Sequence, residues 1–217
     1  YFANEKVDIA IIEVGLGGRL DSTNIITPEV AVITNIGLDH TEFLGNTLPE
    51  IAYEKAGIIK NNIPVIIGEK QPEVLPVFLE KAKQCTSKIY VASNDVKSYA
   101  SDLLGDYQIA NIKTAVAAIQ QLQEFTVSVK NISEGLLHVV KNTNLKGRWQ
   151  VLQENPKIIC DTAHNKEGLS IVLNQLKKEQ YKKLHIVLGV VFDKNLADIF
   201  PMFPKEANYY FCKPNIQ

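Results

Sequence analysis

Two short apolar runs, each opening into a polar turn that contains glycine, constrain the fold more than anything else in the chain. The first, Val7–Val14, carries Glu13 near its end and opens into Gly15-Leu16-Gly17-Gly18-Arg19-Leu20-Asp21. The second, Val30–Ile36, reaches Asn35 and opens into Gly37-Leu38-Asp39-His40-Thr41. Runs of this length, rich in Val and Ile, suit strands covered on both faces, as in a parallel sheet. Ligands on such sheets bind beyond the carboxyl ends of the strands. The pattern therefore predicts Glu13, Asp39 and His40 along one rim, where a hard cation or a phosphate could be held.

Downstream, helical and strand-like segments alternate. Thr47–Ile59 reads as a helix, with Thr47 as N-cap, Glu50 as its capping-box partner and Pro49 in the first turn. Ile63–Ile67 and Lys88–Ala92 read as strands, Pro72–Gln84 as a helix between them, and Ser93–Gly105 as a loop or partial element. Gln108–Phe125 carries a helical apolar stripe, and Ile132–Val140 is a shorter helix. Lys141–Gly147 is polar and turn-rich, the expected linker. Beyond it come a strand at Lys157–Cys160, a helix at Lys166–Lys178, a strand at Leu184–Val191, a helix at Asn195–Phe203 and a strand at Ala207–Cys212. Such alternation argues for βαβ units and a second parallel sheet.

Composition narrows the function classes. With 217 residues, 46% of them hydrophobic, the chain can build one large core or two modest ones. Its 23 basic and 24 acidic residues give a formal charge of -1, which offers no footprint for a nucleic acid or a membrane surface. Three scattered cysteines, Cys85, Cys160 and Cys212, fit a reducing compartment, and the last two are expected as buried, inert thiols. No apolar stretch reaches the length of a bilayer span, and the start lacks the basic and apolar regions of a signal peptide, so a cytoplasmic location is expected. Both ends read as cut, and the chain is expected to be a fragment of a longer protein.

Several residues could carry chemistry. Glu13 interrupts an apolar run, where a carboxylate is costly unless paired or bound to a cation; a strand end reaching solvent is the plain alternative. With His40 it makes a divalent-cation site plausible, of the kind in which Mg²⁺ keeps waters and substrate phosphates as further ligands. The glycines of Gly15–Gly18 would let backbone approach a ligand or another loop. Arg148, in Gly147-Arg148-Trp149, is either a phosphate clamp or a linker arginine covering Trp149. Asp161-Thr162-Ala163-His164-Asn165 ends a strand and starts a helix, with Asn165 or Thr162 as natural N-cap. The helix start favours an anion, and His164 is well placed for a phosphate. His138 and His185 lie in apolar runs and are expected to pack.

These residues fall in longer motifs: EVGLGGRLDSTN at 13–24, ITNIGLDHTEFLGNT at 33–47, IAYEKAGIIK at 51–60, YQIANIKTA at 107–115, GRW at 147–149 and DTAHN at 161–165. In order and spacing they resemble the bifunctional dihydrofolate synthase/folylpolyglutamate synthase family, a branch of the Mur ligase superfamily. The resemblance implies an α/β fold: residues 1–143 as the mostly parallel sheet of a P-loop-type ATPase domain, and 144–217 as a partial Rossmann-like C-terminal domain, with the site in the cleft between them. It implies ATP-dependent ligation of L-glutamate to dihydropteroate, to a folylpolyglutamate such as that of tetrahydrofolate, or to both, by a monomer. Glu13, His40 and Lys55, the last as a carbamate, would hold Mg²⁺. Leu20, Asp21 and Ser22 would line the pterin pocket. Asn111, Arg148, Asp161 and His164 would hold ATP, with His164 near the γ-phosphate and, with Lys55, catalytic.

The chain departs from the family pattern in several ways, among them a second domain expected to stop early and so to lack part of the glutamate-binding side. No G-x-x-x-x-G-K-[ST] sequence occurs in it, the family's P-loop lying upstream of the matched region. Gln150 follows GRW where the family commonly has Glu, and Ser93–Gly105 is short. The rival readings are a Mur-type ligase acting on another carboxylate, and a non-catalytic binding module.

Overall fold

The structure is a computed structural model that describes residues 1–92, 99–189 and 199–213. It divides into two compact units, one formed by Tyr1–Ser98 with Ala110–Ile132 and the other by Tyr99–Ile109 with Ser133–Gln217.

The first unit is built on a three-stranded parallel sheet in the order β1-β2-β3, with β1 at Ala31–Ile33, β2 at Val65–Ile67 and β3 at Ile89–Val91. The central strand explains its own sequence: Val65, Ile66 and Ile67 are all buried, as expected of a parallel strand covered on both faces. After the short helices α1 (Phe2–Glu5) and α2 (Thr41–Leu44), helices α3 (Leu48–Ala56) and α4 (Leu75–Gln84) cover the sheet. Helix α3 contributes Ile51, Ala52 and Ala56 to the core, and α4 contributes Phe78 and Ala82 at helical spacing, with Val74 just ahead of them. Burying a side chain such as Phe78 stabilises by about 1.5–3 kcal/mol.

Helix α3 starts where its sequence says it should. Thr47 accepts from the Glu50 N–H at 3.4 Å while the Glu50 carboxylate accepts from the Thr47 N–H at 3.0 Å and the Asn46 N–H at 2.8 Å, a complete capping box. Thr47→Ala is expected to lower unfolding free energy by about 1 kcal/mol in urea titrations. Helix α5 (Gln108–Ile119) is shorter than its apolar stripe, which runs on into a turn at Gln120 and Gln121.

The first apolar run behaves differently from expectation. Residues 7–14 form no strand, and Val7, Ile9 and Ile11 are exposed by 43%, 49% and 90%. An apolar run specifies a wish for burial, not a partner; without a strand beside it the same residues stay out of a ladder.

The second unit holds α6 (Val129–Leu137) for most of its length, α7 (Val139–Thr143) and α8 (Lys166–Leu176), together with two small sheets. Strands β4 (Gln150–Glu154) and β5 (Lys157–Cys160) pair antiparallel around Asn155-Pro156, whereas β6 (His185–Gly189) and β7 (Asn208–Cys212) pair in parallel. A second parallel pair is thus present in β6 and β7, while the strand at Lys157–Cys160, expected in that sheet, pairs antiparallel in the β4–β5 hairpin instead. Part of the expected linker at 141–147 is the end of α7. The expected helix over 195–203 falls partly outside the described residues, and Phe200–Met202 within it is a 3-10 turn.

The stretch 99–109 belongs to this unit through side chains rather than regular structure. The Asp102 carboxylate accepts from the Val139 and Val140 N–H groups at 3.1 and 2.9 Å, capping α7. Gln175, buried on α8, accepts from the Asp106 N–H at 2.7 Å and donates to the Leu104 carbonyl at 2.8 Å. Lys178 pairs with Asp106 at 2.6 Å.

Of the two cysteines expected to be buried, Cys160 is partly so and Cys212 is exposed, whereas Cys85 is buried. The two histidines expected to pack are also exposed; His138 Nδ1 lies 2.8 Å from the Glu134 carbonyl, and His185 stacks on Tyr210 at 5.8 Å.

Candidate functional site

In the first unit the glycine-rich turn is seated on the carboxyl end of α3. The Arg19 N–H donates to the Glu54 carbonyl at 2.8 Å, and the Arg19 guanidinium donates to the Glu54 carboxylate at 3.0–3.2 Å. Asn24 donates to the Arg19 and Gly57 carbonyls at 3.0 and 3.2 Å, and Lys60 donates to the Asn24 carbonyl at 2.7 Å. The seat needs bare backbone. A Cβ on Gly57 would fall 2.3 Å from Arg19 Cα, and one on Gly18 3.0 Å from the Glu54 carbonyl oxygen. Of the two roles the sequence left open for these glycines, close approach to another segment is the one the geometry displays.

Asp21 shapes the same loop. Its carboxylate accepts from the Thr23 hydroxyl at 2.6 Å, the Thr23 N–H at 2.9 Å and the Leu16 N–H at 2.9 Å. These bonds, the Thr23 hydroxyl foremost, hold its pKa down at about 2. A depressed carboxylate contributes stability that is present above its unfolded pKa of about 3.9 and is lost as pH falls through the folded value. The Leu16 and Thr23 amides are therefore expected to stay protected from hydrogen exchange at pH 3 and to lose protection as the pH approaches 2. Leu20, 80% exposed, and Ser22, also exposed, flank Asp21.

The tip of β1 is fixed by a side chain acting as a strand. Gln71 Oε1 accepts from the Ile36 N–H, and Gln71 Nε2 donates to the Ile36 carbonyl, each at 2.8 Å. Beyond it, His40 adopts a left-handed φ of 50° and its N–H donates to Asp39 Oδ1 at 2.9 Å. A non-glycine residue in that region costs on the order of 1–3 kcal/mol and persists where the surroundings impose it. Lys55, on α3, is half-buried; burial pushes its ammonium pKa down, and the Asp39 charge opposes that shift. Glu13 and His40 are both exposed. Among the described residues no three His, Cys, Asp or Glu side chains form a group that could hold a metal. A carboxylate and an imidazole are donor types that a Mg²⁺ with few protein ligands would accept, its other positions being filled by water and phosphate oxygens.

In the second unit one carboxylate organises two motifs. Asp161 Oδ2 accepts from the Trp149 N–H and from the Tyr107 hydroxyl, each at 2.7 Å, and Asp161 Oδ1 accepts from the Ala163 N–H at 2.8 Å. The Thr162 N–H donates to the Gly147 carbonyl at 3.0 Å, and the Arg148 guanidinium donates to the Thr162 hydroxyl. Gly147 has φ of 68°, and a Cβ there would meet Thr162 Cγ2 at 2.6 Å. Trp149 is buried in a left-handed conformation with φ of 48°, and Arg148 is exposed. Asn165 caps α8, accepting from the Gly168 N–H at 2.9 Å, which answers the choice left between it and Thr162. His164 is exposed at that helix start with Nδ1 3.1 Å from the Thr162 carbonyl oxygen. Asn111 is exposed on α5. The structure thus brings Arg148, Asp161 and His164 together locally, and Lys55 within electrostatic reach of Asp39. Sequence reasoning missed Tyr107, although it lies four residues before Asn111 in a quoted motif, and it missed Gln71, whose long-range role leaves no local period.

The α/β units and their turn motifs are those of Mur-type domains. Residues 1–90 match the Mur ligase middle domain and residues 147–216 the Mur ligase glutamate ligase domain, and the chain belongs to the Mur ligase superfamily. Its relatives include the folylpolyglutamate synthase of Lacticaseibacillus casei, 31% identical over 91% of this chain and 51% of that protein. The dihydrofolate synthase/folylpolyglutamate synthase of Haemophilus influenzae is 35% identical over 97% of this chain and 54% of its own length. The chain spans about half the length of these curated relatives. Among solved structures, the apo form of L. casei FPGS superposes with a TM-score of 0.82 at 29% identity, covering 97% of this chain and 56% of that one. E. coli FolC in complex with DHPP and ADP superposes with a TM-score of 0.78 at 29% identity, covering 91% of this chain and 50% of that one.

Proposed function

We propose that the protein adds L-glutamate to the carboxylate of dihydropteroate, of a folylpolyglutamate, or of both, at the expense of ATP. The observation that carries this reading is the Asp161-centred joining of Gly147-Arg148-Trp149 to Asp161–His164, which gathers an arginine, an imidazole and a helix start. Support also comes from the relatives' names and from neighbours solved with an ATP analogue and folate, or with DHPP and ADP.

In the proposed reaction the acceptor carboxylate oxygen attacks the γ-phosphorus of ATP. The bond to the bridging oxygen breaks, releasing ADP and leaving an acyl phosphate. The glutamate amine then attacks the acyl carbon, loses a proton and expels inorganic phosphate. The barrier is one of charge and alignment. Arg148 and His164, with the N–H groups at the start of α8, supply positive potential to the phosphates. Asn111 and Asp161 hold the nucleotide. Leu20 and Ser22 face the pterin from a loop that Asp21 keeps in shape. A Mg²⁺ held by Glu13, His40 and a carbamylated Lys55 would offset phosphate charge. On this reading residues 1–143 belong to the ATPase domain and 144–217 to the C-terminal domain.

The test is ligation by the full-length protein with ATP, Mg²⁺ and L-glutamate, product mass being read for dihydropteroate and tetrahydrofolate separately. A mass gain of one glutamate with equimolar ADP supports the reading. Nucleotide binding without a product from either acceptor favours a different Mur-type acceptor, and no nucleotide binding favours the non-catalytic module.

A further inference from the structure

We propose that Tyr107 is a positioning residue for the nucleotide: its hydroxyl holds Asp161 in the orientation that ties Gly147-Arg148-Trp149 to the start of α8. The inference deepens the ligase reading and rests on it. Tyr107 is itself firmly seated. Its ring lies over Gly105, where a Cβ would come within 2.7 Å of Tyr107 Cζ. The neighbouring Asp106 N–H is bonded to the buried Gln175 at 2.7 Å, and Lys178 pairs with the Asp106 carboxylate at 2.6 Å. A ring fixed in this way can fix what it touches. Asp161 Oδ2 takes two donors, the Trp149 N–H and the Tyr107 hydroxyl, so losing the phenol leaves the carboxylate held by its two backbone donors alone. One of those two donors is Trp149, which sits at a left-handed φ of 48°, a conformation that persists where the surroundings impose it. Burial first, and the Asp161 hydrogen bond second, push the Tyr107 phenol pKa up, so it stays protonated as a donor throughout the neutral range.

Tyr107 touches Asp161 and not, on this reading, the reacting atoms, and the consequence is separable from catalysis. In the full-length protein, Tyr107→Phe removes one oxygen and should raise the ATP KM about tenfold, the size of a lost charge-assisted hydrogen bond. The kcat and the acceptor KM should stay within about twofold. Tyr107→His, which returns a ring N–H donor, should recover most of the ATP KM. Equilibrium binding of a non-hydrolysable ATP analogue, measured by calorimetry on the same variants, should weaken and recover in parallel. A merely structural role would instead lower the active fraction, seen as a fall in kcat with both KM values unchanged, and that result overturns the proposal. So does an unchanged ATP KM in Tyr107→Phe, or analogue binding that Tyr107→His fails to restore. Wild-type protein that binds the analogue but glutamylates neither acceptor overturns the substrate reading, and analogue binding still decides for or against Tyr107. Wild-type protein that binds no nucleotide overturns both.

Discussion

Lys55→Met is expected to lower ligation by roughly 10³-fold or more, the scale of removing one preorganised charge-stabilising group, while leaving thermal stability unchanged or slightly higher. The expectation follows from where α3 puts the side chain. Lys55 is half-buried beside Asp39, and desolvation lowers its pKa despite that nearby charge. A lysine in such a place reaches its neutral form more readily than a surface lysine. The neutral amine is the form that attacks CO₂: a C–N bond forms, a proton is released, and a cation becomes an anion able to face Mg²⁺. Methionine keeps the length and apolar bulk but cannot be carbamylated. Lys55→Arg keeps the cation and should be as inactive as methionine, since an arginine forms no carbamate. Lys55→Ala with added acetate should regain part of the activity, because the small anion occupies the volume of the lost carbamate. Steady-state ligation by the full-length variants checks all three, and Lys55→Met retaining a tenth of wild-type activity would remove the carbamate from the mechanism.

Gly57→Ala is expected to destabilise the first unit by about 3 kcal/mol, combining overpacking with a lost backbone seat. In thermal unfolding that is a fall of about 6–12 °C. The new Cβ would lie 2.3 Å from Arg19 Cα and 2.7 Å from Arg19 N, atoms that cannot swing aside as a flexible side chain would. The Arg19 N–H would be pushed off the Glu54 carbonyl, and Asn24 would lose its bond to the Gly57 carbonyl. Because the displaced loop is the one bearing Leu20–Ser22, the surviving folded protein should show a raised KM for the pterin acceptor and an unchanged KM for ATP. Equal unfolding temperatures for the variant and the parent would mean that the loop is not seated on α3 in solution.

The parts of this molecule that were legible in the sequence are those specified by neighbours in the chain. Thr47, Pro49 and Glu50 announce the start of α3 within four residues, and the capping box forms as read. Ile63–Ile67 announces the strand that forms as β2, and the pair of cap candidates Thr162 and Asn165 announces the start of α8. What was not legible depends on partners distant in sequence. Val7–Val14 carries the same signal as β2 and forms no ladder, because pairing is a property of two segments and not of one. Gln71 stitching Ile36, Gln175 holding Leu104 and Asp106, and Asp161 gathering Trp149 and Tyr107 are single side chains meeting backbone or hydroxyl groups across 35, 69 to 71 and 12 to 54 residues. They leave no periodicity to read. The β4–β5 hairpin did leave one: Asn155-Pro156 stands between two short apolar-containing runs, a turn signal that the alternation of strand and helix elsewhere overshadowed. The candidate site divides in the same way, its motif residues recognisable and the groups that orient them hidden.

The chain passes from one unit to the other three times, at 98–99, 109–110 and 132–133. A gene cut at any single codon between its ends therefore cannot yield two intact halves, since each half would carry off a piece that the other needs. Splitting this protein for complementation calls for two chains that exchange segments, and a lone protease nick should leave the pieces associated.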